Sequence, residues 1–142
     1  MRCNPERALV KRFFSGLTEQ TFQTRLGMAD PPLVDYLAGM LTRFIRNDAI
    51  YRIRNSTGQT LAEVAEMLAE SEQRVGDARR EVHRHIGDFT LFWSGVFPEA
   101  LTRLQRQNRK DSLLDYCAQG KRAYYIASTF RGANNDDECD VL

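Results

Sequence analysis

Four residues in one short stretch, Glu81, His83, His85 and Asp88, are of the types that ligate transition metals or move protons. Their spacing decides what they can do together. On a helix, residues two apart point about 200° away from each other, so His83 and His85 cannot share one metal. Glu81 and His85 (i, i+4) can act together, as can His85 and Asp88 (i, i+3). No glutamate stands three residues before either histidine, so the paired Glu-x-x-His pattern of di-iron carboxylate proteins is absent. The plainer reading puts His85 in an apolar seam with its ring hydrogen-bonded and His83 on the surface. No metal or other cofactor follows from this set.

Phe89, Phe92, Trp93 and Phe97 stand beside these residues at i, i+3, i+4 and i+8. Aromatic groups so spaced line a core, an oligomer interface or a pocket for a small flat ligand. Core is the first expectation. A ligand site, if one exists, draws on His85, Asp88, Phe92 and Trp93, with Tyr124 or Tyr125 facing them.

Two arginine groups could hold phosphates: Arg103, Arg106, Arg109 and Lys110 on one helix side, and Arg43, Arg46, Arg52 and Arg54. With a formal net charge of +1 and no aromatic platform between the arginines, solvated faces are expected instead of nucleic-acid contacts. Cys117 falls on an apolar helix pattern and reads as a small buried hydrophobe. No Gly-x-Ser-x-Gly, P-loop or dinucleotide fingerprint occurs, so no catalytic set is assigned.

The elements that must position these groups read as helices. Asn4-Pro5-Glu6 starts the first, with Leu9, Val10, Phe13 and Phe14 on one face and Gly16 as its stop. Thr18 then caps a short helix that Gly27 closes, with Leu17 and Phe22 as a staple. Asp30-Pro31-Pro32 opens a third, whose stripe of Leu33, Val34, Leu37, Met40, Leu41, Phe44 and Ile45 keeps the 3.6-residue period. Tyr51 and Ile53 alternate with charged neighbours, but no partner strand is evident, so Asn47 to Gln59 reads as an irregular connection or helical continuation ending in the turn Asn55-Ser56-Thr57-Gly58.

Thr60-Leu61-Ala62-Glu63 matches a capping box. From it a heptad series runs through Leu61, Leu68, Val75, Val82, Phe89 and Val96, interleaved by Val64, Ser71, Ala78, His85 and Phe92. Gly95 and Pro98 break the pattern, and Pro98-Glu99 opens a helix with Leu101 and Leu104. Asp111 or Ser112 caps the last helix, with Leu113, Leu114, Cys117, Tyr124 and Tyr125 buried and Gly120 as a possible interruption. Between Asp136 and Asp140 four of five residues are acids, which marks a tail.

Together these give an all-α fold, an irregular antiparallel helical bundle of about five to seven helices. A chain of 142 residues fits one helical domain over 1–131 and a flexible acidic tail over 132–142. Three cysteines with no Cys-x-x-Cys pair, no leader-like start and no apolar run near the ~20 residues of a membrane span point to the cytoplasm.

The segments Asp30-Pro31-Pro32-Leu33-Val34-Asp35-Tyr36-Leu37, Ala65-Glu66-Met67-Leu68-Ala69-Glu70 and His85 through Glu99 resemble a family of uncharacterised bacterial helical proteins. The resemblance spans about residues 20–130. It implies a bacterial source and carries over no catalytic residue. The long heptad-like helix ending in an aromatic cluster, with no catalytic set, makes association the expectation for function, as a homodimer or a protein-partner module, without membrane or nucleic acid. The alternative is a small-molecule, haem or metal-binding enzyme or sensor near His85 and Trp93.

Overall fold

The computed structural model describes residues 4–96, 98, 99, 103, 106 and 115–130. Six α-helices are described: α1 (Pro5–Thr21), α2 (Pro31–Phe44), α3 (Asn47–Ile50), α4 (Val64–Glu72), α5 (Gly76–Val96) and α6 (Tyr116–Thr129). No strand occurs among the described residues, and the protein is all-α. None of the described helices is long and apolar enough to cross a membrane. The chain divides at Ile50/Tyr51 into two compact units.

In the first unit Asn4 caps α1 by accepting from the Glu6 N–H at 3.0 Å, and Pro5 takes the first helical position. The helix passes through Gly16 without stopping. It ends instead in a single π-helical turn, Phe22–Leu26, closed by Gly27 at φ 62. Glycine inside a helix costs about 1 kcal/mol, too little to end one whose next turns continue to pack. Only Gly27 takes the left-handed conformation that terminates a helix. Asp30 caps α2 through the Leu33 N–H at 3.2 Å, as Asp-Pro-Pro predicts. Val34, Ala38, Met40 and Phe44 are buried along α2, whereas Leu33 and Ile45 at the ends of the predicted stripe are exposed. The buried stem of Lys11 reaches Asp35 at 3.4 Å, which ties α1 to α2.

The second unit begins with a tight turn. Asn55 Oδ1 accepts from the Thr57 and Gln59 N–H groups at 3.0 and 2.9 Å, and Gly58 has φ 84. Arg54 pairs with Thr60 in an isolated antiparallel bridge, and Leu61 N–H donates to Ile53 at 2.9 Å. The partner that the extended Tyr51–Ile53 stretch lacked is the segment just past the turn. Thr60 is thereby spent on the bridge, and Glu63 takes the N-cap position of α4. The capping box is not used.

The long heptad series is two helices, not one. Between Glu72 and Gly76 the chain turns, Gly76 at φ 61 supplies the conformation that a side chain would strain, and α4 packs back on α5. Val75, predicted in the seam, is therefore 84% exposed. Val64, Met67, Val82 and Ile86 are fully buried, each contributing about 1.5–3 kcal/mol relative to exposure. Helix α5 runs through Gly87-Asp88 unbroken.

Asp115 caps α6 by accepting from the Cys117 and Ala118 N–H groups at 3.0 and 3.2 Å. The cap thus falls later than Asp111 or Ser112, which lie outside the described residues. Tyr116, Gly120, Ala123 and Ala127 form the buried stripe. Cys117 and Tyr125, which lie off that stripe, are exposed and not buried. Leu101, Leu104, Leu113, Leu114 and the acidic tail over 132–142 lie outside the described residues.

Gly120 is not an interruption but a point of close approach to α5. A Cβ there would stand 2.5 Å from Thr90 Oγ1, which itself donates to the Ile86 carbonyl at 2.8 Å. Gly120→Ala should destabilise the fold by roughly 1–3 kcal/mol, the cost of overpacking a tight core. Urea denaturation monitored by circular dichroism would show the midpoint fall. Gly95→Ala, with open space around its Cβ, should instead leave it unchanged or raise it.

Candidate functional site

The predicted site residues fall in the second unit, where α5 packs against α6. His85 is 1% exposed and Asp88 is 3% exposed. Asp88 Oδ1 accepts a 2.6 Å hydrogen bond from the Tyr124 hydroxyl, so the structure joins these two predicted residues across 36 positions of sequence. Gly87 makes this possible. The Tyr124 ring lies where a Cβ on residue 87 would be, with ring atoms 2.6–2.7 Å from that position.

Phe89 is buried at the centre of an aromatic group. Its ring centroid lies 6.1 Å from those of Tyr51 and His85, 6.2 Å from Trp93 and 6.4 Å from Tyr116. Phe92 meets Trp93 edge-on at 5.8 Å, and both are half-buried. Such edge and tilted contacts match the ring quadrupoles and add to burial. Burial also raises the Tyr51 phenol above its ordinary value. Phe97 lies outside the described residues. Tyr51 and Tyr116, which join the cluster from outside the predicted stretch, carried no local signal beyond their aromaticity.

His83 is the main departure. It was expected on the surface and is 3% exposed, with neither ring nitrogen hydrogen-bonded among the described residues. Burial, and then the guanidiniums of Arg79 one turn earlier and Arg122 on α6, hold its pKa below the ordinary 6.5. The helical wheel separated His83 from His85 correctly. It placed only one face of α5 inward, whereas α4 and α6 both pack on this helix.

The chemistry available at these groups is limited by what already engages them. Glu81, the remaining member of the initial set, takes Arg52 at 2.9 Å, Arg80 at 3.4 Å and Arg84 at 3.7 Å. Among the described residues no three His, Cys, Asp or Glu side chains are grouped to hold a metal ion. Of the arginines weighed as phosphate ligands and expected to form a solvated face, Arg46 pairs with Asp48 at 3.5 Å and Arg52 with Glu81, while Arg54 Nη1 donates to the Gly58 carbonyl at 3.2 Å. Arg103 and Arg106 are exposed; Arg109 and Lys110 lie outside the described residues.

The first unit has a cleft of about 330 Å³ lined by Ser15, Glu19, Phe22, Met28, Asp30 and Asp35, among others. Its three carboxylates already have partners: Gln23 for Glu19, the Leu33 N–H for Asp30 and Lys11 for Asp35. They serve the fold of the α1–α2 pair.

No protein-family model, curated protein or solved structure matches the chain.

A neutral, buried His83 makes stability depend on pH. Between its lowered native pKa and 6.5 the unfolded chain binds a proton that the native chain does not, so stability is full above 6.5 and falls as the pH drops below it. With chloride as the only buffer anion, urea midpoints should fall between pH 7.5 and 5.5. His83→Leu should flatten that slope without lowering stability at pH 7.5.

Proposed function

We propose that this chain works by association, and specifically by pairing with a second copy of itself through the outer face of α1. The observation that carries this is a row of large apolar side chains at i, i+4 and i+8. Leu9 and Phe13 are each 65% exposed and Leu17 is 50% exposed. Val10 and Phe14, predicted to share their face, are half-buried. The helix therefore spends one apolar strip on its own unit and presents a second one outward. Contiguous apolar surface of this kind marks an interaction site more often than isolated exposed residues do.

The row suits a two-fold partner because it is self-complementary. Phe13 supplies a bulky knob, and Gly16, one turn later with nothing within 4 Å of its Cβ position, supplies a bare spot on the same face. In an isologous contact each ring can sit over the other copy's glycine. No charged residue lies between Leu9, Phe13 and Leu17 on that row. The aromatic end of α5 supports association less, since Phe89 is buried and Phe92 and Trp93 pack edge-on against each other.

Sedimentation of the full chain at micromolar concentration should show a dimer. Phe13→Glu, at an exposed position, should shift it to monomer with an unchanged circular dichroism spectrum, and Trp93→Ala should not. A wild-type monomer throughout, or a Phe13→Glu protein that sediments as the dimer, refutes the reading.

A further inference from the structure

We infer that Arg79, His83 and Arg122 together bind a compact oxyanion of the phosphate class. Arg79 and His83 stand one turn apart on α5, and Arg122, on the α6 helix that packs against α5, adds its charge to that of Arg79 at the His83 ring. Both His83 nitrogens and Arg79 Nε are buried with no hydrogen-bond partner among the described residues. Buried polar groups in folded proteins are paired almost without exception, and an unpaired set at one place points to a partner that is not a protein side chain. Here the set is Arg79 Nε, which donates, and an imidazole whose two nitrogens both donate once it is protonated. Guanidinium N–H groups only donate, and an imidazole donates from one nitrogen when neutral and from both when protonated. The partner they fit is an acceptor-rich anion.

The charge arrangement agrees. Neither Arg79 nor Arg122 forms an ion pair with a described acid. Glu81, which lies between Arg79 and His83 in sequence, is already shared by Arg52, Arg80 and Arg84. The charged groups that act on His83 are both cations, one from its own helix and one from α6. A tetrahedral dianion accepts from both planar forks and from the ring at once, which carboxylates and water do less well. His83, at 3% exposure, forms the floor of this arrangement. Arg122 is exposed and Arg79 half-exposed, so both can swing out to admit a small anion and close over it. The anion also changes the protonation of its floor. The ring is held neutral first by burial and then by the two cations, and a bound dianion offsets the cations, so binding tightens as the pH falls for as long as the free anion stays a dianion.

Inorganic phosphate titrated into the full chain at fixed ionic strength, with chloride as the balancing ion, tests this. The chain has two histidines, so two imidazole resonances can be followed by proton NMR, and loss of one in His83→Gln assigns them. Phosphate should move the His83 resonance saturably toward the protonated position and raise the thermal midpoint. The affinity should increase by up to about tenfold for each pH unit over which binding takes up a proton. Arg122→Gln, at an exposed position, should weaken binding by about tenfold or more, while Arg25→Gln, on the first unit, should not. Methyl phosphate run in parallel separates the sources: tighter binding than inorganic phosphate assigns the site to the head of a phosphomonoester, weaker binding to the free anion. A His83 resonance indifferent to phosphate at tens of millimolar overturns the inference. So does an Arg122→Gln protein that binds as the wild type does.

Discussion

The second unit depends on one close crossing, where α5 and α6 exchange glycines for side chains. The Tyr124 ring of α6 fills the space beside Gly87, and the Thr90 hydroxyl of α5 fills the space beside Gly120. Each helix gives up a Cβ where the other inserts a side chain, so the backbones approach more closely than larger residues would allow. The polar consequences follow from this geometry. At that depth the Tyr124 hydroxyl reaches Asp88, and the Thr90 hydroxyl is turned back on the Ile86 carbonyl of its own helix. Buried hydroxyls without such partners would cost more than the contact gains.

The same crossing explains why the stretch richest in reactive residue types is mostly interior. His85, Asp88 and Phe89 are buried, and the carboxylate among them is engaged by a tyrosine. A buried hydrogen-bonded pair in a packed core fixes register as much as it adds stability. The surface arginines around it are balanced unevenly. Glu81 serves three of them, while the charges of Arg79 and Arg122 act on an imidazole. That imbalance, and not the histidine pair as such, is what singles out this part of the molecule.

The first unit follows a different economy. Its α1–α2 pair is held by the inward strip of α2 and by the Lys11–Asp35 bridge, whose lysine stem is itself buried. Long cationic stems cover apolar surface while their heads find a partner. This lets α1 close its inner face with a polar residue and keep Leu9, Phe13 and Leu17 on its outer face. The π-helical turn at Phe22–Leu26 and the left-handed Gly27 then end the helix ahead of Asp30, and the cleft is lined by residues on both sides of this corner. Its acids hold that corner together.

Local chemistry was legible in the sequence: Asn4-Pro5 and Asp30-Pro31 as helix starts, Gly27 as a stop, the Asn55–Gly58 turn, and the all-α class itself. Each is decided within a few residues by φ restriction, missing N–H groups or side-chain caps. Periodicity was less decisive. It could not show that Gly76 splits the heptad series, that Gly16 leaves α1 intact, or that Thr60 would be spent on a bridge, because each outcome depends on what packs against the segment. The site shows the same division. The helical wheel separated His83 from His85 and drew attention to Asp88, but a wheel knows one neighbour, and α5 has two. Only the tertiary structure could bury His83 as well as His85, give Asp88 to Tyr124 and bring the charge of Arg122 to bear on His83. The reason is physical: caps and turns are fixed by the chain's own backbone, whereas burial and charge pairing are fixed by residues dozens of positions away.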